Sequence, residues 1–112
     1  MTKQELIDLI NSWENLPLLI QEVGNHPVLF AMLIDIALNN PEQRSWRAAY
    51  LADLIHDNFP ELLKPYIEKI ILKLKTEKNS SKKRHFLKLL SMNEIPQQHF
   101  GFLVEIEAIA YI

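Results

Sequence analysis

ELLKPYIEKIILKLKTEK, residues 61–78, is the stretch that decides the fold class. Its apolar residues recur at the spacing that places them on one face of an α-helix. They are Leu62, Leu63, Tyr66, Ile67, Ile70, Ile71 and Leu74. Pro65 falls in the first turn, where its missing N–H group does least harm. The stretch therefore predicts a helix that buries one face in a core.

The rest of the chain favours helices as well. Its 112 residues include two glycines, no Asn-Gly or Asp-Gly hairpin turn, and six prolines that mostly stand where a helix would begin. We predict an all-α fold in which short connections make successive helices antiparallel neighbours. The helices are expected near residues 3–12, 14–23, 27–39, 42–58, 61–77, 80–93 and 97–112.

Two of these helices have capping residues at their predicted starts. Asn40 is expected to be the N-cap of the fourth helix, with Pro41 at the first helical position and Gln43 completing a capping box. Ser80 or Ser81 is expected to cap the sixth helix.

A shift of 36 residues aligns apolar positions of the chain in three registers. Loops and prolines inside each unit reset the helical phase, so agreement on both sides of these breaks indicates a repeat rather than helical periodicity alone. A repeated helix–turn–helix unit cannot bury both its faces by itself, so the units are expected to stack into a solenoid. The aligned sets are Leu18, Leu54 and Leu90; Val23, Phe59 and Ile95; Phe30, Tyr66 and Phe102; and Ile34, Ile70 and Ile106.

Two segments, NPEQRSWRAAYL at 40–51 and PELLKPYI at 60–67, resemble HEAT/armadillo-type repeats. In that family the second helix of a unit opens with a basic residue. Arg47 fits this position, and Lys83 or Arg84 fills it one unit later. The family's Asp between helices is replaced here by Asn40 and Asn79.

The resemblance covers about residues 26–112 and implies a right-handed α-α superhelix of antiparallel helix pairs, the HEAT-like solenoid. It implies N-terminal capping helices at 1–25, repeats at 26–60 and 61–96, and the first helix of an incomplete repeat at 97–112. That last helix ends on the apolar residues Ala108–Ile112. We expect it either to pack on another chain, including a second copy, or to continue in a longer natural protein.

The composition excludes several classes of protein and site. With no cysteine there is no disulfide scaffold, thiolate zinc site or cysteine nucleophile. The most apolar stretch, Val28 to Leu38, contains Asp35 and is too short to span a bilayer. The polar start, Met1 to Glu5, does not resemble a signal peptide, so a cytoplasmic protein without a membrane partner is expected.

No residues have the spacing of a catalytic or metal site. His26, His56, His85 and His99 include no pair four residues apart and no carboxylate at a ligand spacing. Carboxylates four apart on one helix, such as Asp53 and Asp57, more often face solvent than form a catalytic pair. We therefore predict no enzyme activity, cofactor or metal.

The fourth helix carries a candidate partner-binding surface. Trp46, Tyr50, Asp53 and Asp57 share one face of this helix, and aromatic rings flanked by acids suit a basic peptide. The alternative is that both rings serve ordinary packing between helices. Arg84 and Lys88 are expected to add the opposite charge from the next unit. Reversing the charge of Lys88 is expected to weaken partner binding while leaving melting nearly unchanged.

Three residues are assigned structural roles. Arg47 is expected to stack between units and to bond either carbonyl groups at a turn or a carboxylate such as that of Asp35. Asp35 is the one charged residue in an apolar helix, and a buried carboxylate needs a partner of this kind. Asn40 is assigned a structural role because it is the predicted N-cap of the fourth helix.

The charge is distributed unevenly along the chain. The net charge is −2 overall, but residues 1–60 carry −5 and residues 64–88 carry +7. This basic patch includes Lys69, Lys73, Lys82 and Lys83. It fits a solvated lysine-rich face, an acidic protein partner or phosphates of a nucleic acid.

The function predicted from the resemblance is a non-enzymatic protein-interaction module or scaffold of HEAT-like repeats. The alternative is a nucleic-acid-binding HEAT-like domain, similar to the alkylpurine DNA glycosylases, that uses segment 64–88. The acidic first half of the chain argues against this alternative.

Overall fold

The computed structural model describes residues 1–102, and all regular secondary structure within them is helical. The all-α prediction is therefore confirmed. The α-helices are α1 (Lys3–Ser12), α2 (Leu16–Gly24), α3 (Pro27–Asn39), α4 (Trp46–His56), α5 (Ile67–Leu74) and α6 (Ser80–Ser91). Three 3₁₀ segments accompany them at Gln43–Ser45, Pro60–Tyr66 and Gln97–His99. Most of the predicted last helix, with the apolar segment at 108–112, lies outside the described residues.

The predicted caps of the fourth and sixth helices are wrong. Asn40 is the C-cap of α3, and its Oδ1 accepts a hydrogen bond of 2.9 Å from the backbone N–H of Glu42, as in an Asx turn. The hydroxyl of Ser45 then donates to backbone carbonyls of Asn40 and Glu42, which tightens the chain into a 3₁₀ turn and delays α4 to Trp46.

At α6 the cap is Asn79, not Ser80 or Ser81. Its side-chain oxygen accepts hydrogen bonds from the backbone N–H groups of Ser81 and Lys82. Asn79 holds the extended backbone of an N-cap, whereas Ser80 is already helical.

The predicted helix 61–77 divides into a 3₁₀ segment and α5. Pro65 has no N–H group to donate, so the first turns cannot complete the α-helical ladder and wind more tightly instead. The regular α-helix begins only at Ile67, where the apolar face at Ile70, Ile71 and Leu74 is buried.

The helices form two layers around a common core. Helices α2, α4 and α6 lie side by side, and α3 and α5 pack against them, while α1 contacts α3 and α4. At the centre, Ala48, Ala49 and Ala52 of α4 are fully buried, and their small side chains let neighbouring helices approach closely. Large apolar side chains fill the remaining core, among them Phe30, Leu33, Ile34, Leu51, Ile55, Ile70, Ile71, Phe86 and Leu89.

Contacts between side chains repeat at nearly the spacing of the sequence repeat. Hydrogen bonds join residues 31 to 37 positions apart in six places along the described chain. A contact of similar spacing explains why residue 24 is a glycine. A methyl group at this position would overlap the ring of Phe59 in the next unit. Contacts along the described chain thus recur at separations close to the 36-residue shift of the sequence repeat.

Among residues 1–102, none of the helices is by itself long and apolar enough to cross a membrane. Helices α2 and α3 reach that length and composition only together, and they are bent by 114° at their junction.

Candidate functional site

Helix α4 exposes only one narrow stripe of its surface. Trp46, Tyr50 and Leu54 are half-buried along this stripe, and Asp57 just beyond the helix is exposed. The neighbouring helix α6 exposes Arg84 and Lys88, which lie one turn apart, and Ser91; Met92, just beyond the helix, is exposed as well. We call the surface formed by Trp46, Tyr50, Leu54, Arg84 and Lys88 the α4/α6 face.

The aromatic residues of this face form a packed cluster. The ring of Tyr50 lies 5.1 Å from that of His85, 6.1 Å from that of Trp46 and 5.8 Å from that of Trp13, measured between centroids. Trp46 stacks nearly parallel to His85 at 6.4 Å. The rings thus join α4 to α6 and to the turn after α1, as the packing alternative predicts, while each keeps a partly exposed edge.

Asp53 does not face solvent as the sequence suggested; its side chain is 4% exposed. His85 Nδ1 lies 3.1 Å from Oδ2, and the Lys88 ammonium lies 3.1 Å from Oδ1. Among the described residues, Lys88 is the only cation that contacts Oδ1, which is itself buried. The carboxylate therefore anchors α6 on α4. Asp57, in contrast, is exposed as expected.

The pairing changes the role of Lys88. Its contact with the Asp53 carboxylate, followed by the negative charge of that group, raises the pKa of the Lys88 ammonium above its usual value. Lys88 is still 55% exposed. It therefore belongs both to the surface and to the connection between units, so the expectation that its charge is irrelevant to melting is revised.

Arg47 fills the predicted role between units. Its guanidinium lies over the ring of Trp13, 5.3 Å from the centroid, and donates a hydrogen bond of 2.8 Å to the backbone carbonyl of Asn11. This contact holds the end of α1 against α4. It also supports Trp13, which has a left-handed backbone (φ 58°) that is uncommon for a bulky residue.

The suggested pair of Arg47 with Asp35 is wrong, because Arg47 is directed toward the end of α1. Asp35 is 45% exposed and pairs instead with Lys3 at the start of α1. Asn39 donates a second hydrogen bond of 2.7 Å to this carboxylate. The hydrogen bond from Lys3, followed by that from Asn39, holds the pKa of Asp35 below its usual value.

The basic patch is less continuous than the sequence indicates. Lys82 is only 3% exposed, and its ammonium donates a hydrogen bond of 2.9 Å to the backbone carbonyl of Asn40. Lys69 is exposed beside the ring of Tyr66, whereas Lys73 and Lys83 are half-buried. Lys82, rather than Lys83 or Arg84, thus contacts the preceding helix end as Arg47 does one unit earlier.

Histidines provide connections between units that the sequence analysis missed. His99 Nε2 lies 2.9 Å from Glu68 Oε1, and buried His56 Nε2 lies 3.1 Å from the amide nitrogen of Asn93. Residues 1–102 contain no group of three histidine or acidic side chains that could hold a metal ion. The sequence did contain one signal for such connections between units. Asp53 and His85 are 32 residues apart, which is close to one repeat.

The sequence of this chain matches a known protein family. The model of the HEAT repeat domain family matches residues 2–102. The chain belongs to the HEAT repeat family. The match includes the first two helices of this HEAT repeat domain, which lie outside the segments that carried the resemblance. Comparisons with curated proteins and with solved structures gave no match.

Proposed function

We propose that this HEAT repeat domain is a non-enzymatic protein-interaction module whose α4/α6 face binds an acidic segment of a partner protein. HEAT repeat domains generally act as scaffolds for protein interactions. The observation that carries the proposal is the composition of the α4/α6 face. Its α4 side presents the half-buried rings of Trp46 and Tyr50, and its α6 side presents the exposed residues Arg84 and Lys88.

The charge of this face favours an acidic rather than a basic partner. Asp53 is buried against Lys88 and His85, so it offers no free carboxylate to a basic peptide. The exposed cations Arg84 and Lys88 then outnumber Asp57. Tryptophan, tyrosine and arginine are also the residues most enriched among the energetically dominant positions of protein interfaces.

The nucleic-acid alternative draws less support from the same contacts. Lys82 is only 3% exposed and so is not part of the open surface along which a nucleic-acid backbone would lie, and Lys88 is engaged by Asp53. Phosphate binding by the basic patch would depend on its more accessible lysines, Lys69, Lys73 and Lys83.

The proposal is tested by selecting peptides on the folded domain from a displayed random library and measuring their affinity by fluorescence anisotropy. Acidic peptides are expected to be enriched. Arg84→Glu should weaken their binding by about tenfold or more, since it removes and reverses an exposed charge at the face. Lys69→Glu is the matched control, because Lys69 is an exposed cation on α5.

Two results would overturn the proposal. One is enrichment of peptides without acidic residues, and the other is equal binding by Arg84→Glu and by the unmodified domain. A parallel titration with duplex DNA addresses the alternative. Affinity that falls steeply with salt and is lost in Lys69→Glu but kept in Arg84→Glu would favour nucleic-acid binding instead.

A further inference from the structure

A cleft of about 310 Å³ opens between two loops on the edge of the domain. One wall is the connection from α3 to α4, and the other is the connection from α5 to α6. Asn79 bridges the walls through a hydrogen bond of 3.4 Å from its amide nitrogen to the backbone carbonyl of Gln43. The volume is within the range of small-molecule sites.

The cleft is lined by a buried cation that no carboxylate of residues 1–102 contacts directly. Lys82 is 3% exposed, and no carboxylate of the described residues lies within 4.0 Å of its ammonium. An ammonium has three N–H donors, and the Asn40 carbonyl accepts one of them. Burial lowers the pKa of Lys82, which reflects the cost of holding this charge away from water.

The other charged groups of the cleft leave room for an anion. Lys73 and Lys78 also line it, together with Glu42 and Glu77. Glu77 is turned to its own loop, where Oε1 accepts hydrogen bonds from the backbone N–H groups of Lys78 and Asn79. Glu42 is exposed at the opposite wall. Three ammonium groups therefore border the cleft. The negative charge of Glu77 acts on Lys82 from a distance, but no described carboxylate is in contact with its ammonium.

We propose that this cleft binds a compact oxyanion, either free phosphate or the phosphate group of a small phosphomonoester, with Lys82 as the central donor and Lys73 and Lys78 beside it. The anion would accept the remaining N–H groups of Lys82 and place a negative charge in direct contact with this buried cation. This site is separate from the α4/α6 face, so phosphate binding can be tested independently of the proposed partner binding.

The test is a titration of the isotopically labelled domain with inorganic phosphate at constant ionic strength, followed by amide shifts in two-dimensional NMR. The expected result is saturable shifts at Gln43, Asn79 and Lys82, with chloride giving none. Glycerol phosphate distinguishes a phosphomonoester from free phosphate, depending on which saturates at lower concentration. Sulfate shows whether the site requires phosphate or accepts any compact oxyanion.

Two variants test whether phosphate binds in the cleft. Lys82→Met should weaken phosphate binding by about tenfold or more, the loss expected for a charge-assisted hydrogen bond. Lys73→Met should weaken it as well, and it keeps the test valid if Lys82→Met does not fold. Lys69→Met, which removes an exposed lysine outside the cleft, should leave binding unchanged.

The proposal is overturned if the shifts fail to saturate or spread over all exposed lysines. It is equally overturned if Lys73→Met and a folded Lys82→Met bind phosphate as well as the unmodified domain.

Discussion

Reversing the charge of Lys88 should destabilise the domain, because its ammonium is the only cation of the described residues on the buried Oδ1 atom of Asp53. At 3.1 Å, two unit charges attract by roughly 1 kcal/mol in water and by roughly 5 kcal/mol at a dielectric constant of 20. Lys88 is 55% exposed, and His85 remains as a second partner of Asp53. Solvent screening therefore brings the attraction between Lys88 and Asp53 close to the value in water.

We therefore expect a loss of about 1–2 kcal/mol in the free energy of unfolding for Lys88→Met. Lys88→Glu replaces attraction by repulsion beside a buried carboxylate, so the expected loss is about 2–3 kcal/mol. With an unfolding entropy of about 2.1 cal/mol/K per residue, each kcal/mol lowers the Tm of a chain of 112 residues by about 4 °C. Lys88→Glu should thus melt roughly 8–12 °C lower.

Urea and thermal unfolding followed by circular dichroism measure these changes. Arg84→Glu is the control, since Arg84 is exposed one turn away, and its effect should stay within about 0.5 kcal/mol. The Asp53→Asn background isolates the pair, because Lys88→Glu should lose most of its effect there. A Tm for Lys88→Glu within about 2 °C of that for Arg84→Glu would refute the reasoning, as would an undiminished loss in the Asp53→Asn background.

Three further predictions follow from single contacts. Gly24→Ala should cost about 1–3 kcal/mol in urea unfolding, because the added methyl overlaps a phenylalanine ring. At Gly101 no described residue lies within 4 Å of an added methyl, so Gly101→Ala should not destabilise. Arg47→Lys should cost about 1 kcal/mol in the same assay, since an ammonium cannot both stack on Trp13 and keep the carbonyl bond. The pKa of Asp35 is below its ordinary value of 3.8, so its contribution to stability is present above that pH and is lost as the pH falls through the lowered value. Asp35→Asn should therefore be less stable near neutrality but lose less stability on acidification, as measured by Tm against pH.

The parts of the fold that depend on apolar periodicity could be predicted from the sequence. The buried face of α5 depends on residues whose burial needs no particular partner, and it is seen in the structure. The exact helix starts could not be predicted, because several side chains compete for the same backbone groups. At α6, for example, Asn79 captures two N–H groups that Ser80 and Ser81 were expected to serve.

The candidate site was harder to predict, because the state of a charged residue depends on groups far away in the chain. Asp53 follows the pattern of a solvent-facing acid when only its own helix is considered. It is buried because α6 brings His85 and Lys88 over it, and no rule about neighbours within one helix includes that contact. Lys82 differs from Lys83 in the same way, since only Lys82 reaches the carbonyl of Asn40.

These contacts also determine which substitution would affect partner binding without affecting the packing of one unit on the next. An acidic ligand that removed Lys88 from Asp53 would leave a buried carboxylate oxygen without a cation, so binding would oppose the packing of α6 on α4. A ligand that engages Lys88 must therefore use its solvent-facing N–H groups and leave the ion pair intact. Arg84 has no such constraint, because it is exposed and forms no ion pair with the described residues. Arg84 is thus the residue whose substitution reports on recognition alone, whereas any effect of Lys88 on binding has to be corrected for its effect on folding.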